Sequence, residues 1–174
     1  MSIYRDFELL RTPELRLIRH GIFWPVYELT DGEFYYGKIS YTGKFLVSFL
    51  LETAKDHWNL KRSGILNRTL HIYNSHNENI GSLTPRGWTS DVNLLMNNGF
   101  EAKFAKKSFF SMEFVWTNSN FGDLISIKES WWSYKIPYTI TLDTNLLKNV
   151  PTIPLLVLLG TNFMILHRRH AAVH

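Results

Sequence analysis

The 174-residue chain has no cysteine, which excludes disulfides, thiolate metal sites and a cysteine nucleophile. It also lacks an unbroken apolar run of the roughly 20 residues that a membrane-spanning helix requires. The first residues, Met1-Ser2-Ile3-Tyr4-Arg5-Asp6-Phe7-Glu8, are charged and carry no apolar signal core, so no secretory signal is expected and a cytoplasmic location is. Without such a signal, Asn67-Arg68-Thr69 reads as a chance match to a glycosylation sequon. There is no nucleophile elbow, phosphate-binding glycine loop or His-Glu-x-x-His sequence. The expectation is a protein without catalytic residues, cofactor or bound metal.

What is present points to β-structure. Aromatic residues make up 15% of the chain, a composition that favours strands with large packing side chains. Hydrophobic content of 45% and charged content of 20% are ordinary globular values. The length suits one domain, residues 1–174, with a substantial core. A net charge of +4 and a pI near 9.3 are compatible with anionic partners and equally with ordinary solubility.

Gly and Asn/Asp pairs punctuate the first 150 residues at the intervals of an antiparallel meander. The strands read from this pattern are 26–29, 34–41, 45–52, 57–61, 68–74, 80–83, 92–96, 100–106, 111–117, 124–128 and 136–143. Asn98-Gly99 suggests a tight type I′ turn. Phe100, Ala102 and Phe104 share one face, opposite Glu101, Lys103 and Lys107. Met112, Phe114 and Trp116 likewise face inward, with Ser111, Glu113 and Thr117 outward. The reverse arrangement would place Lys103 and Glu113 in the core, a costly burial of charge. Phe45, Val47, Phe49 and Leu51 repeat the alternation.

Residues 151–170 behave differently. Leu155-Leu156-Val157-Leu158-Leu159 is apolar all round a helix, so that helix belongs inside a large core or a membrane. The apolar stretch 153–166 is too short to span a bilayer and is interrupted by Gly160-Thr161-Asn162. Arg168 and Arg169 suit a helix C-terminus, but a tail anchor would carry them across the membrane against the positive-inside tendency. Strands about 4.8 Å apart and tilted about 40° occupy roughly 6.3 Å of circumference each. Eight would close at a diameter near 16 Å, tight around a helix about 10–12 Å wide. Ten to twelve give roughly 20–24 Å, enough for a helix and its side chains. The expected fold is mainly β: a closed antiparallel β-barrel of about 12 strands enclosing a central hydrophobic C-terminal α-helix.

Serial hairpins with Asp31-Gly32 and Asn98-Gly99 turns, Ile140-Thr141-Leu142-Asp143, an apolar helix and a basic end together resemble the tubby-like family. That family includes the LURP-one-related and phospholipid scramblase groups. The stretch Tyr27-Glu28-Leu29-Thr30-Asp31-Gly32 through Tyr36-Gly37-Lys38, with Trp58-Asn59-Leu60-Lys61-Arg62, is similar to small bacterial members of uncharacterised function. The resemblance implies the barrel with its central helix, and recognition of phosphoinositide headgroups by basic residues on the barrel. Scramblases are lipid-associated and depend on calcium. Here Thr144-Asn145-Leu146-Leu147-Lys148 supplies no second carboxylate after Asp143, so calcium-dependent scrambling is not carried over.

Candidate anion or headgroup ligands are Lys103, Lys106 and Lys107, with Lys61, Arg62 and Arg86 as additions. Set against this is a solvated face on which Lys103 pairs with Glu113. Trp131 and Trp132 are candidate partner contacts or caps on the barrel mouth. His71, His76 and Glu78 match no regular metal spacing, and His167, His170 and His174 fall on a basic chain end. Asp31/Glu33 and Asp56/His57 read as local turn hydrogen-bonders.

The expected function is a non-catalytic binding barrel whose partner is an anionic phospholipid headgroup or a protein on its outer surface. Nucleic acid is not an expected partner, and membrane association would be peripheral. The alternatives are a scramblase-like protein anchored by the C-terminal helix and an enzyme with a rim site built from Asp56, His57 or His71.

Overall fold

A computed structural model describes residues 3–21, 25–42, 48–62, 69–85, 91–108, 110–130, 133 and 135–171. Twelve strands form one closed antiparallel barrel. They are β1 (Glu14–His20), β2 (Val26–Thr30), β3 (Tyr35–Thr42), β4 (Ser48–Thr53), β5 (His57–Arg62) and β6 (Leu70–Tyr73), followed by β7 (Asn79–Pro85), β8 (Val92–Met96), β9 (Glu101–Lys106), β10 (Glu113–Asn118), β11 (Gly122–Glu129) and β12 (Tyr138–Leu142). Each strand pairs with its neighbours in sequence. β1 closes the ring on β12, with Leu15 opposite Ile140 and Leu17 opposite Tyr138.

The strand reading of the sequence starts at residue 26 and omits β1. The signal is nevertheless present: Leu15 and Leu17 are fully buried while Glu14 and Arg16 are exposed. The strand's value lies in a long-range partner, since closure on β12 removes both sheet edges. The Asn98-Gly99 turn also differs from the type I′ expectation. Gly99 has φ +85°, but Asn98 is not among the described residues with positive φ. The Gly99 N–H reaches Met96 O, and the Met96 N–H reaches Phe100 O. The connection is thus a three-residue loop with glycine in its left-handed position.

One α-helix is found among the described residues, α1 (Ile153–Ala171), and it fills the barrel. Leu156, Val157, Leu158 and Leu159 have no solvent exposure, and Leu155, Met164 and Ile165 have almost none. The helix meets opposite arcs of the wall, β3 and β4 on one side and β10 and β11 on the other. The inward residues of successive strands complete this core: Leu17, Leu29, Ile39, Leu51, Leu60 and Ile72 are all fully buried. An apolar interior with charges on the outward positions reverses the pattern of a membrane barrel. Among the described residues no helix is long and apolar enough to cross a membrane.

The polar break in the helix has a structural explanation. A Cβ on Gly160 would stand 2.6 Å from Trp116 Nε1 and 2.6 Å from Ile127 Cδ1, so the missing side chain lets helix and wall approach closely. Thr161 donates its hydroxyl to Val157 O at 2.6 Å within the helix. Asn162 accepts from the Tyr41 hydroxyl at 2.8 Å. Each polar interruption sits in the core with an acceptor or donor provided, apart from Asn162 Nδ2, which has no partner among the described residues.

The helix also gives the barrel an axis. It enters beside the β4–β5 turn, where Pro154 lies near Asp6, Phe7 and Asp56. It leaves beside the start of β12, where the Tyr138 hydroxyl donates to Met164 O at 3.0 Å. The entry end is strapped by a 3-10 turn, Phe7–Leu9. Phe7 is buried edge-on against Tyr36, with ring centroids 5.7 Å apart. Lys55 reaches Asp6 at 2.6 Å and Glu8 at 2.8 Å across the strap. Those two carboxylates hold the Lys55 ammonium above its ordinary range.

Candidate anion-binding end of the barrel

Antiparallel order sorts every connection to one of two ends. The entry end receives the turns after β2, β4, β6, β8 and β10, which are short and rich in Asn, Asp and Gly. The Asp31 turn is typical. Its carboxylate accepts from the N–H groups of Glu33 and Phe34 at 2.9 and 2.8 Å and from the Tyr36 hydroxyl at 2.7 Å. Partial desolvation opposes ionisation, but these donors prevail and hold the carboxyl below its usual range. Burial and the same carboxylate push the Tyr36 phenol up. Asp31 acts as the local turn residue read from the sequence.

The exit end is basic. β5 ends at Arg62 and β9 at Lys106, followed by Lys107, all exposed. The helix terminus adds His167 and Arg168. Phe114, opposite Lys106 in the β9–β10 ladder, lies 6.1 Å from the His167 ring. The carboxylates near this end are already engaged: Asp91 with Lys103 at 3.1 Å, Glu113 with Lys107 at 2.9 Å, and Glu129 with Arg168 at 3.4 Å. The Ser126 hydroxyl also donates to Glu113. Ser126 first, then Lys107, holds the Glu113 carboxyl below its ordinary value. Between Lys107 and β10 the chain presents Phe110 with 91% of its surface exposed.

The structure therefore divides the six cations read from the sequence. Lys106 and Lys107 are consecutive at the end of β9, and Arg62 shares their end of the barrel four strands further round the ring. Lys61 leaves the group: its ammonium lies 4.8 Å from the Tyr73 ring centroid and donates to Asn77 at 3.1 Å, toward the entry end. Lys103 is directed along the outer wall to Asp91 rather than to Glu113, the partner expected from the sequence. Glu113 is taken by Lys107, whose N–H bonds to Glu113 O in the same bridge across the β9–β10 connection. Arg86, Trp131 and Trp132 lie outside the described residues. Phe110 was not singled out in the sequence, although the run Lys106-Lys107-Ser108-Phe109-Phe110 carried the signal.

The residues of the alternative rim site are not gathered. Asp56 and His57 sit at the β4–β5 turn, where Asp56 O accepts from the Thr53 N–H and the Asp56 N–H donates to the Thr53 hydroxyl. His71 pairs across to Lys61, four residues along β5 from His57, or about 13 Å at strand rise. Its ring nitrogen is 3.2 Å from Asn79 Nδ2. Among the described residues no three His, Asp or Glu side chains group as metal ligands. Comparison with protein-family models, with curated proteins and with solved structures finds no match to this chain.

Proposed function

We propose that this chain is a non-catalytic binding barrel that docks its exit end on anionic phospholipid headgroups. The observation that carries the reading is Phe110, exposed at 91%, three residues after Lys107 on the β9–β10 connection at the basic end. An apolar side chain flanked by ammonium groups suits the boundary between headgroups and acyl chains. Each basic residue near an anionic surface contributes about 1 kcal/mol. The Lys107 end of the Lys107–Glu113 pair is exposed, and a surface pair of this kind is worth about 1 kcal/mol or less, so a phosphate can compete for the ammonium. Because the interior is filled by α1, the ligand is met from outside. The same helix is spent on the core, which favours peripheral docking over anchoring by the tail. The tubby-like resemblance belongs with this proposal, supported by twelve strands around a C-terminal helix.

The test is co-sedimentation with phosphatidylserine-containing and with pure phosphatidylcholine vesicles across a salt series. Binding only to the anionic vesicles, weakening with salt and lost in Lys106→Glu/Lys107→Glu, is the expected result. Phe110→Ser should weaken binding without altering its salt dependence. Failure to sediment with anionic vesicles at low salt would end this reading.

A further inference from the structure

A second feature lies on the outer wall, away from the basic end. A groove of about 660 Å³ crosses β7, β8, β9 and the end of β10. Its floor is set by strand register: Ser82 faces Leu95 and Thr84 faces Asn93 across β7–β8, then Asn93 faces Lys103 and Leu95 faces Glu101 across β8–β9. Cβ atoms on such a grid repeat at about 4.8 Å across strands and about 6.6 Å along them. Short side chains on β7 and β8 leave the depression, and the longer Glu101 and Lys103 bound it.

Elsewhere on the wall several charged side chains pair with one another. Lys38 pairs with Glu52 at 2.6 Å, His20 with Glu28 at 3.0 Å and Lys107 with Glu113 at 2.9 Å. Among the described residues, the side chains of Ser82, Thr84, Asn93 and Glu101 have no hydrogen-bond or ion-pair partner. Two hydroxyls, an amide and a carboxylate are thus fixed on rigid strands with their bonding capacity available. Leu95, half-exposed at 51%, gives the same floor an apolar centre. Lys103 is neutralised by Asp91, so Glu101 is the uncompensated charge and anions are disfavoured.

From this juxtaposition we infer that the groove is a binding site for a neutral or amine-bearing polyhydroxylated ligand, a mono- or disaccharide. The Ser82, Thr84 and Asn93 groups exchange hydrogen bonds with ring hydroxyls, Glu101 accepts from a hydroxyl or an ammonium, and Leu95 packs against the C–H face of the ring. A few convergent polar groups around an apolar patch is the usual composition of a small-molecule site. This site is independent of headgroup docking in both location and charge preference.

Saturation-transfer NMR on the full chain, with cellobiose, chitobiose and glucosamine as separate millimolar probes, tests the inference. Transfer to the ring protons of at least one sugar is expected. Ser82→Trp fills the groove from an outward position and should weaken the affinity at least tenfold while far-ultraviolet circular dichroism stays unchanged. Asn93→Trp serves the same purpose from β8 should the first variant fail to fold. Glu101→Gln should weaken glucosamine more than cellobiose, and Lys106→Glu/Lys107→Glu should leave sugar binding unaltered. No transfer to any of the three probes, or transfer that persists in a folded groove-filled variant, overturns the site.

Discussion

The hydroxyl of Tyr41 on β3 donates a 2.8 Å hydrogen bond to Oδ1 of Asn162 on α1, joining wall and helix across 121 positions of sequence. Asn162 has no solvent exposure, and its Nδ2 has no partner among the described residues. Removing the Tyr41 hydroxyl leaves the amide wholly unsatisfied, which costs about 1–3 kcal/mol. Tyr41→Phe should therefore lower the urea midpoint. Tyr41→Phe combined with Asn162→Leu should recover most of the loss, because neither partner is then a stranded polar group. A double variant less stable than Tyr41→Phe alone would show that Asn162 contributes through another contact.

Gly160 sets how closely the helix approaches β10 and β11. The 2.6 Å separations that a Cβ would have from Trp116 and Ile127 lie far inside contact distance. Alanine gains about 1 kcal/mol of helix propensity, while overpacking of a full core costs about 1–3 kcal/mol. Gly160→Ala should be destabilising on balance, and Gly160→Val more so, as read from equilibrium unfolding. A stabilised Gly160→Ala would mean that the Ile127 side chain yields and that Trp116 is not rigidly seated.

A chain ending at Val150 retains every strand but loses the helix. Burying one large aliphatic side chain contributes about 1.5–3 kcal/mol, and Leu155, Leu156, Val157, Leu158 and Leu159 are all buried in the barrel. That sum is comparable to the whole stability of a typical domain, about 5–15 kcal/mol. The truncated chain should show no cooperative thermal transition and no near-ultraviolet circular dichroism. A folded, soluble remainder would instead favour the helix as an external anchor.

Acid should unfold the protein through a small set of carboxylates. Asp6, Asp31 and Glu113 all have carboxyls held below their ordinary values in the fold. A depressed folded pKa stabilises above the unfolded value, about 4 for carboxyls, and that stability is lost as pH falls through the folded value. The urea midpoint should hold down to about pH 5 and fall below about pH 4. Asp31→Asn should be less stable at neutral pH and should show a shallower acid decline. The phenols of Tyr4, Tyr36 and Tyr138 are pushed up, each by burial first. Stability should therefore also fall as pH rises past about 10, where unfolded tyrosines ionise.

Much of the architecture is legible in the sequence. The 3.6-residue geometry of Leu155–Leu159 left no face for water, and a bilayer was too thick for the stretch, so a wide barrel was the remaining enclosure. Period-two alternation placed Phe104, Phe114 and Trp116 inside and Glu101 and Lys103 outside, as the fold has them. β1 was harder to read because closing a ring depends on a partner more than a hundred residues away.

The candidate site was legible only as composition. Lys61, Lys103, Lys106 and Lys107 look alike in a list of cations, yet Lys61 turns to Tyr73 and Asn77, Lys103 to Asp91 and Lys107 to Glu113. By itself the sequence determined the class of fold and the fate of the helix, because backbone periodicity and hydrophobic burial are local and strong. Which charges neutralise one another, which end of the barrel is basic and where the outer wall is grooved emerge from the three-dimensional packing alone. Those outcomes depend on strand register and on distances of a few ångströms between residues far apart in the chain, across which Coulombic and hydrogen-bond energies change steeply.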